Sequence, residues 1–191
     1  SKAVIVTGGS TLKTLGVPGE TELHGAGVSY CATCDGAFFV DEVVAVVGAG
    51  DSALDEAITL TEFASKVVVF RRGEQFTGQQ VLQDRVTSSP KIEVRDNTTV
   101  TAILGDAQVE GVSVEDSESW ETSRIDLSGV FVYVGLEPNT QYLGELLPLD
   151  NAGHIPTDIW MRTELPGLLA AGDIRQHSAA QLVSAAGDGA T

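Results

Sequence analysis

Residues 43–54, Val-Val-Ala-Val-Val-Gly-Ala-Gly-Asp-Ser-Ala-Leu, decide the fold of this chain. The unbroken β-branched run at 43–47 is typical of a strand that is buried on both faces of a parallel sheet. Apolar residues then recur at helical spacing over 53–64, and a second β-branched run follows at 66–70. Strand, helix and strand over about thirty residues predict a right-handed parallel βαβ unit.

The turn inside this unit has the pattern G-x-G-x-x-A, formed by Gly48, Gly50 and Ala53. The first glycine permits a tight turn, the second lets the backbone approach a pyrophosphate, and the alanine lets the helix pack closely on the sheet. Free amides at the helix start, where Asp51 or Ser52 can act as the cap, favour phosphate. All five residues are therefore predicted to bind a dinucleotide; the alternative is a purely structural tight turn.

Two arginines, Arg71 and Arg72, follow the second strand of the unit. An NAD site commonly carries Asp or Glu at this point to hold the ribose hydroxyls. Two guanidinium groups suit a 2′-phosphate instead, so the sequence favours NADPH. The alternative is a surface arginine pair that balances nearby acids such as Glu74.

The rest of the chain predicts an α/β fold: a Rossmann-like NAD(P)-binding domain inserted in a second, partial Rossmann-like domain. Glycine-rich connectors are expected at 10–30 and 135–139. The further predicted elements are a helix at 78–87 and a strand at 91–95, an antiparallel meander of strands near 99–104, 109–115 and 122–126, buried strands at 3–7, 129–134 and 167–171, and a final helix over 179–191. The outer domain is incomplete at both ends, so we expect the chain to be a piece of a longer protein.

Both cysteines lie in the motif Cys31-Ala32-Thr33-Cys34, followed by Asp35. Two thiols separated by two residues can close a disulfide in a tight turn and exchange with another disulfide. An adjacent carboxylate such as that of Asp35 can move a proton as a thiolate forms or leaves. The alternatives are half of a zinc site, two inert buried cysteines and a static structural disulfide. Redox chemistry is favoured because the motif lies shortly before a dinucleotide site.

Composition limits the classes of partner. The formal net charge of -16 makes nucleic acid an unsuitable partner, because phosphate neutralisation needs clustered Lys and Arg. No apolar run is long enough to span a bilayer, and the N-terminus lacks the features of a signal peptide. We expect a cytoplasmic protein with no membrane partner and no metal.

Five segments, in this order and spacing, carry a family resemblance: Cys31-Ala-Thr-Cys-Asp-Gly36, Gly48–Ala53, Arg71-Arg72, Pro138-Asn-Thr140 and Ala170-Ala-Gly-Asp173. Together they resemble the low-molecular-weight thioredoxin reductases over essentially the whole chain. The resemblance implies FAD and NADPH as cofactors, a homodimer, and thioredoxin or a similar small dithiol protein as electron acceptor. It also implies that residues 1–20 and 137–191 belong to an FAD-binding domain and that 21–136 form the NADPH-binding domain with the redox dithiol.

The resemblance further assigns roles to single residues. Cys34 would face the flavin, Cys31 would attack the partner disulfide, and Asp35 would be the acid and base. The connectors near 16–25 and 134–139 would be the hinges of a domain rotation. The implied FAD-binding residues are Thr7, Gly8, Gly172, Asp173, Gln181 and Leu182.

The chain departs from the family pattern at several positions. Phe70 and Thr77 stand where the family usually has a histidine and a third arginine, and Ala180 stands where an arginine is common. The N-terminal glycine-rich loop for the FAD diphosphate is absent from the sequence. Two alternative functions follow: a similar flavoprotein that takes electrons from another donor such as ferredoxin, and a nucleotide-sensing module with a non-catalytic dithiol.

Overall fold

The computed structural model describes residues 2–191 as two compact units. The central unit is Lys13–Gly135, and the terminal unit combines the residues up to Leu12 with Leu136–Thr191. Both boundaries differ from the predicted domain ranges. The central unit begins at Lys13 instead of residue 21, because Ile103 N–H donates to Pro18 O at 2.9 Å and ties this segment to the central unit.

The elements are as follows in chain order. The strands are β1 (Val4–Val6), β2 (Ser10–Leu12), β3 (Val28–Ser29), β4 (Val43–Val47), β5 (Lys66–Phe70), β6 (Ile92–Arg95), β7 (Thr98–Leu104), β8 (Gly111–Asp116), β9 (Thr122–Asp126), β10 (Gly129–Val132), β11 (Leu136–Pro138) and β12 (Leu168–Ala170). The α-helices are α1 (Ala32–Asp35), α2 (Asp51–Leu60), α3 (Gln80–Ser88) and α4 (Leu182–Ala190), with 3₁₀ turns at Gly36–Phe39 and Gln141–Leu143.

A five-stranded parallel sheet in the order β3-β10-β4-β5-β6 forms the centre of the central unit. The predicted β4-α2-β5 unit is confirmed, because β4 and β5 pair in parallel from Val43 and Lys66 to Val47 and Phe70. Alternate residues of these two strands supply both faces of the sheet. Val44 and Val46 pack in the cluster that contains the apolar face of α2, whereas Ala45 and Val47 pack in the cluster under the meander.

The predicted meander is also confirmed as an antiparallel sheet of β7, β8 and β9. Val112 and Val114 of β8 are buried against the same cluster as Phe70 and Val130 of the main sheet. The return strand was predicted at 129–134 but ends at Val132.

Three local predictions were wrong. Neither Asp51 nor Ser52 caps α2: the cap position is Gly50, and Asp51 is already helical. The second connector is not irregular throughout, because β11 pairs with β2 in an antiparallel ribbon of the terminal unit. The last helix was predicted from residue 179 but begins at Leu182, after a capping box made by Gln181 and Ser184.

The terminal unit is built on β1 and β12, which pair in parallel with Val6 opposite Ala170. A small core that includes Val6, Ile155 and Ile174 packs beside them. The Arg175 guanidinium donates to both carboxylate oxygens of Asp188, with Nε–Oδ2 at 2.5 Å and Nη2–Oδ1 at 2.6 Å. This part-buried pair ties α4 to the segment after β12. Within residues 2–191, no helix has both the length and the apolar composition needed to cross a bilayer.

The Arg175–Asp188 pair makes the stability of the terminal unit sensitive to acid. Hydrogen bonds from Arg175 hold the pKa of Asp188 below its usual range. A lowered folded-state pKa adds stability above about pH 4, which is lost as the pH falls through the folded-state pKa. Asp188→Asn should therefore lower the free energy of unfolding by about 2–3 kcal/mol at pH 7 and by less at pH 3.

Hydrogen exchange of the α4 amides at the two pH values measures this effect. Asp126→Asn, at an exposed surface pair, is the matched control and should change little. An equal loss of protection at pH 7 and pH 3 for Asp188→Asn would contradict the role of the ion pair.

Candidate redox and nucleotide-binding site

Gly48 begins the turn between β4 and α2 in a conformation that requires glycine. Its φ is 151°, and a Cβ atom there would lie 2.3 Å from Tyr133 O and 2.8 Å from the Cβ of Ala53. Ala53 is itself fully buried against the sheet. The small residues predicted at these two positions therefore let the start of α2 approach β4 and β10 closely.

Gly50, unlike Gly48, is not required by the backbone conformation or by close packing. Its φ of -89° suits any residue, and a Cβ atom there would meet only Thr77 Oγ1, at 3.8 Å. The space beside Gly50 is thus open, and the first amides of α2, those of Asp51 and Ser52 among them, have no acceptor within the helix. Open space and free amides at a helix start are what a pyrophosphate group needs.

Residues 77–79 lie against this turn. The backbone amide of Thr77 donates to Ala49 O at 2.9 Å, and that of Gln79 donates to Asp51 Oδ1 at 2.6 Å. The Asp51 carboxylate also accepts from Gln79 Nε2 at 3.2 Å. Asp51 is therefore engaged in holding this segment. Thr77 donates from both its amide and its Oγ1 to Ala49 O, where the resemblance would place an arginine side chain.

The two predicted phosphate-binding arginines have different surroundings. Arg71 Nε donates to Asp96 Oδ1 at 2.6 Å, and its guanidinium lies 4.0 Å from the centroid of the Phe76 ring. Only 10% of the Arg71 side chain is exposed. Arg72, in contrast, is exposed beside the end of β5. Asp96 directly follows the neighbouring strand β6, and nothing in the sequence pattern pointed to this contact.

Cys31 and Cys34 form a disulfide with their Cα atoms 5.3 Å apart. Cys31 is the N-cap of the single-turn helix α1, and its Sγ accepts from Cys34 N–H at 3.2 Å. Cys34 is exposed and Cys31 is half-buried, which disagrees with the alternative of two inert buried thiols. Within residues 2–191, the structure contains no group of three or more His, Cys, Asp or Glu side chains placed to hold a metal.

Asp35 lies close behind the disulfide. Its Oδ2 accepts from Ser29 Oγ at 2.6 Å, and its backbone amide donates to Cys31 O at 3.1 Å. Ser29 Oγ also accepts from the Cys31 amide at 3.1 Å. The Ser29 hydroxyl thus links the Asp35 carboxylate to the backbone of Cys31. This link holds the carboxylate beside the disulfide turn.

Sequence reasoning missed a buried carboxylate before this turn. Glu20 is 2% exposed and accepts from Leu15 N–H at 2.9 Å, Gly16 N–H at 2.7 Å and Tyr30 O–H at 2.9 Å. Burial and the hydrogen bond to Glu20 raise the pKa of Tyr30 to about 12. The contacts fix the segment that leads into Cys31. The sequence could not predict this burial, because a glutamate in a glycine-rich connector is ordinarily expected to be exposed.

A second group lies beneath α1 and was also missed. The amide of Ala32 donates to Glu56 Oε2 at 3.0 Å and to the hydroxyl of Tyr133 at 2.9 Å. Glu56 is on α2 and Tyr133 follows β10, so both partners are remote in sequence. The helix that begins at the glycine turn therefore also contacts the redox turn within the central unit.

The predicted FAD-binding residues lie in the terminal unit. Thr7 and Gly8 follow β1, and Gly172 and Asp173 come shortly after β12; because these strands are parallel neighbours, the four residues share one sheet edge. Gly172 has a φ of 80° and donates to Asp188 Oδ2 at 3.0 Å. Gln181 caps α4, and Leu182 begins it with an exposed side chain.

Comparison with known proteins shows the family of the chain. A family model described as pyridine nucleotide-disulphide oxidoreductase matches residues 1–190. The chain belongs to this family. It is 45% identical to a thioredoxin reductase of Listeria monocytogenes and 43% identical to one of Bacillus subtilis, in each case over 99% of this chain and 60% of the relative.

The solved structures of the family agree with the fold. A crystal structure of Lactococcus lactis thioredoxin reductase in its FR conformation matches with a TM-score of 0.91 and 38% identity. The match covers 100% of this chain and 63% of that one. The chain thus spans about 60% of the length of the relatives that it matches.

The open space at Gly50 gives a direct test of the predicted nucleotide site. Gly50→Ala should leave folding intact, within about 0.5 kcal/mol, because the added Cβ has room and the backbone φ suits alanine. It should still weaken NADPH binding at least about tenfold by taking the space of the pyrophosphate.

Calorimetric titration of each variant with NADPH measures the affinity. Gly189→Ala, which also adds a Cβ in open space but in the terminal unit, is the matched control and should bind normally. Unchanged NADPH affinity in Gly50→Ala would mean that the pyrophosphate lies elsewhere.

Proposed function

We propose that this chain is the nucleotide-binding and redox-active part of a flavin-dependent disulfide reductase. Electrons pass from NADPH through FAD to the Cys31–Cys34 disulfide, and then to thioredoxin or a similar small dithiol protein. The observation that carries the proposal is the junction made by α2: its first turn forms the open glycine cradle, and Glu56 in its second turn contacts the turn that carries an accessible disulfide.

The cysteine chemistry follows from the local geometry. FAD, when bound, supplies a carrier that accepts a hydride from the nucleotide and delivers two electrons to a disulfide. Two electrons and two protons convert the Cys31–Cys34 disulfide to a pair of thiols. The Cys34 amide that now donates to Cys31 Sγ would stabilise a thiolate on Cys31, which suits Cys31 as the attacking residue.

Transfer to the partner then proceeds by exchange. The Cys31 thiolate attacks a partner sulfur and forms a mixed disulfide, and the other partner sulfur leaves as a thiolate. Cys34 loses its proton and attacks Cys31, which restores the internal disulfide and releases the second partner thiolate. Asp35, held by Ser29, is placed to accept and return the proton at this turn.

The terminal unit is proposed to contribute to the FAD site, and the central unit to bind NADPH. The shared sheet edge of Thr7, Gly8, Gly172 and Asp173 supports the first assignment, because ligands of open α/β sheets bind at the carboxyl ends of the strands. The homodimer, the cytoplasmic location and the domain rotation stay predictions. The alternatives, a different electron donor or a non-catalytic dithiol, are less well supported because the similar proteins are named thioredoxin reductases.

Replacing either cysteine separates the two halves of the reaction. Cys34→Ser should abolish NADPH-driven reduction of thioredoxin in the flavin-loaded protein, because a single thiol cannot re-form the internal disulfide. Reduction of the flavin by NADPH should continue, since it does not use the cysteines. Stopped-flow absorbance of the flavin and a steady-state thioredoxin assay measure the two steps.

Cys31→Ser is the matched comparison for Cys34→Ser. Only the variant that retains Cys31 should accumulate a mixed disulfide with thioredoxin, detected by mass spectrometry. Sustained thioredoxin turnover in either variant would exclude the proposed role of the couple.

The donor preference depends on Arg72. Arg71 is already bonded to Asp96, so we propose that Arg72 makes the main contact with the 2′-phosphate. A charge-assisted hydrogen bond is worth about 1.5–3 kcal/mol, so Arg72→Ala should weaken NADPH binding roughly tenfold to a hundredfold and leave NADH binding nearly unchanged.

Fluorescence titration with both nucleotides measures the ratio of the two affinities. Arg124→Ala, which removes an exposed arginine from the meander, is the control for net charge. Parallel losses for NADPH and NADH in Arg72→Ala would assign Arg72 a general electrostatic effect rather than recognition of the 2′-phosphate.

A further inference from the structure

The first amide of α1, the short helix that carries Cys34, donates to an acidic side chain of another helix. Ala32 is fully buried, and its N–H group donates to Glu56 Oε2 at 3.0 Å and to the Tyr133 hydroxyl at 2.9 Å. An unoccupied amide at the start of a helix stabilises a nearby thiolate. This one is committed to a carboxylate, one residue away from Cys31.

The same carboxylate affects the hydroxyl of Tyr133. Burial, followed by the negative charge of Glu56, raises the pKa of the Tyr133 hydroxyl well above its usual value. The Tyr133 hydroxyl, which accepts from the Ala32 amide, therefore stays protonated beside the Glu56 carboxylate. The Ala32 amide thus holds the Glu56 carboxylate in place, close to the Tyr133 phenol.

We propose that Glu56 is a positioning residue that controls how readily the reduced Cys31–Cys34 couple forms a thiolate. Its carboxylate fixes α1 through the Ala32 amide, and its negative charge opposes the negative charge of the sulfur. The inference rests on the proposed function in one respect only, namely that the couple cycles between disulfide and dithiol.

The charges around the couple give the sign of the effect. The Cys34 amide favours a thiolate on Cys31, whereas Asp35 on α1 and Glu56 on α2 oppose it. From the segment before Cys31, Tyr30 is bonded to the Glu20 carboxylate, which adds a further negative charge. The only one of these acids that contacts the backbone of α1 from another helix is Glu56. Loss of its charge should lower the pKa of the attacking thiol.

The test is the pH profile of alkylation of the reduced protein by iodoacetamide, with each cysteine resolved by peptide mass spectrometry. Glu56→Gln keeps an oxygen that accepts from the Ala32 amide but removes the charge. We expect its alkylation rate at neutral pH to rise on the order of tenfold, with the profile moved to lower pH. Above the thiol pKa, the equilibrium with glutathione should move toward the dithiol by a similar factor, about 30 mV for a tenfold change.

Three further variants separate charge from structure. Asp55→Asn removes the neighbouring carboxylate from the exposed side of the same helix and should react like wild type. Tyr133→Phe removes the phenol without changing the charge and should change the rate less than Glu56→Gln does. Glu56→Asp keeps the charge but shortens the reach to Ala32, so it should disturb α1 without the large shift to lower pH.

The outcomes are decisive in both directions. A Glu56→Gln profile equal to that of wild type, an equal shift in Asp55→Asn, or an equal shift in Glu56→Asp would overturn the role of the charge. The measurement needs no flavin, nucleotide or partner protein. Failure of the proposed function would instead appear as thioredoxin turnover that survives in the cysteine variants, so the two failures are distinguishable.

Discussion

The close approach of α2 to the sheet at Gly48 is the constraint on which the rest of the central unit depends. Tyr133 O and the Cβ of Ala53 leave no room for a side chain there, so the helix start sits directly on the ends of β4 and β10. That position sets the direction of α2. The same helix then presents Gly50 to open space and Glu56 to the Ala32 amide.

One rigid helix therefore serves two kinds of chemistry. At its first turn, free amides and a missing side chain suit the pyrophosphate of a dinucleotide. In its second turn, a carboxylate braces the short helix that carries the disulfide. Since α2 is packed along the buried face of β4 and β5, neither contact can shift without moving the core.

The features that could be predicted from the sequence are those that depend on a local pattern of residues. The β-branched runs of β4 and β5, the glycine turn and the vicinal cysteines each have a chemical reason that can be seen within a few residues. The contacts that required the structure are long-range: Glu56 and Tyr133 converge on Ala32 from 24 and 101 residues away. Arg71 was predicted to bind the 2′-phosphate, and the structure adds a bond from its Nε to Asp96, which comes from the end of a neighbouring strand. The wrong cap at Asp51 has the same origin, because its carboxylate bonds Gln79 instead of its own helix.

The central claim is that electrons of a pyridine nucleotide reach the Cys31–Cys34 disulfide. The most direct measurement is an anaerobic thiol count on the flavin-loaded protein after one equivalent of NADPH, with no partner present. We expect two new thiols to appear per chain, at Cys31 and Cys34, as the nucleotide is oxidised. Oxidation of the nucleotide with the disulfide still intact would contradict it.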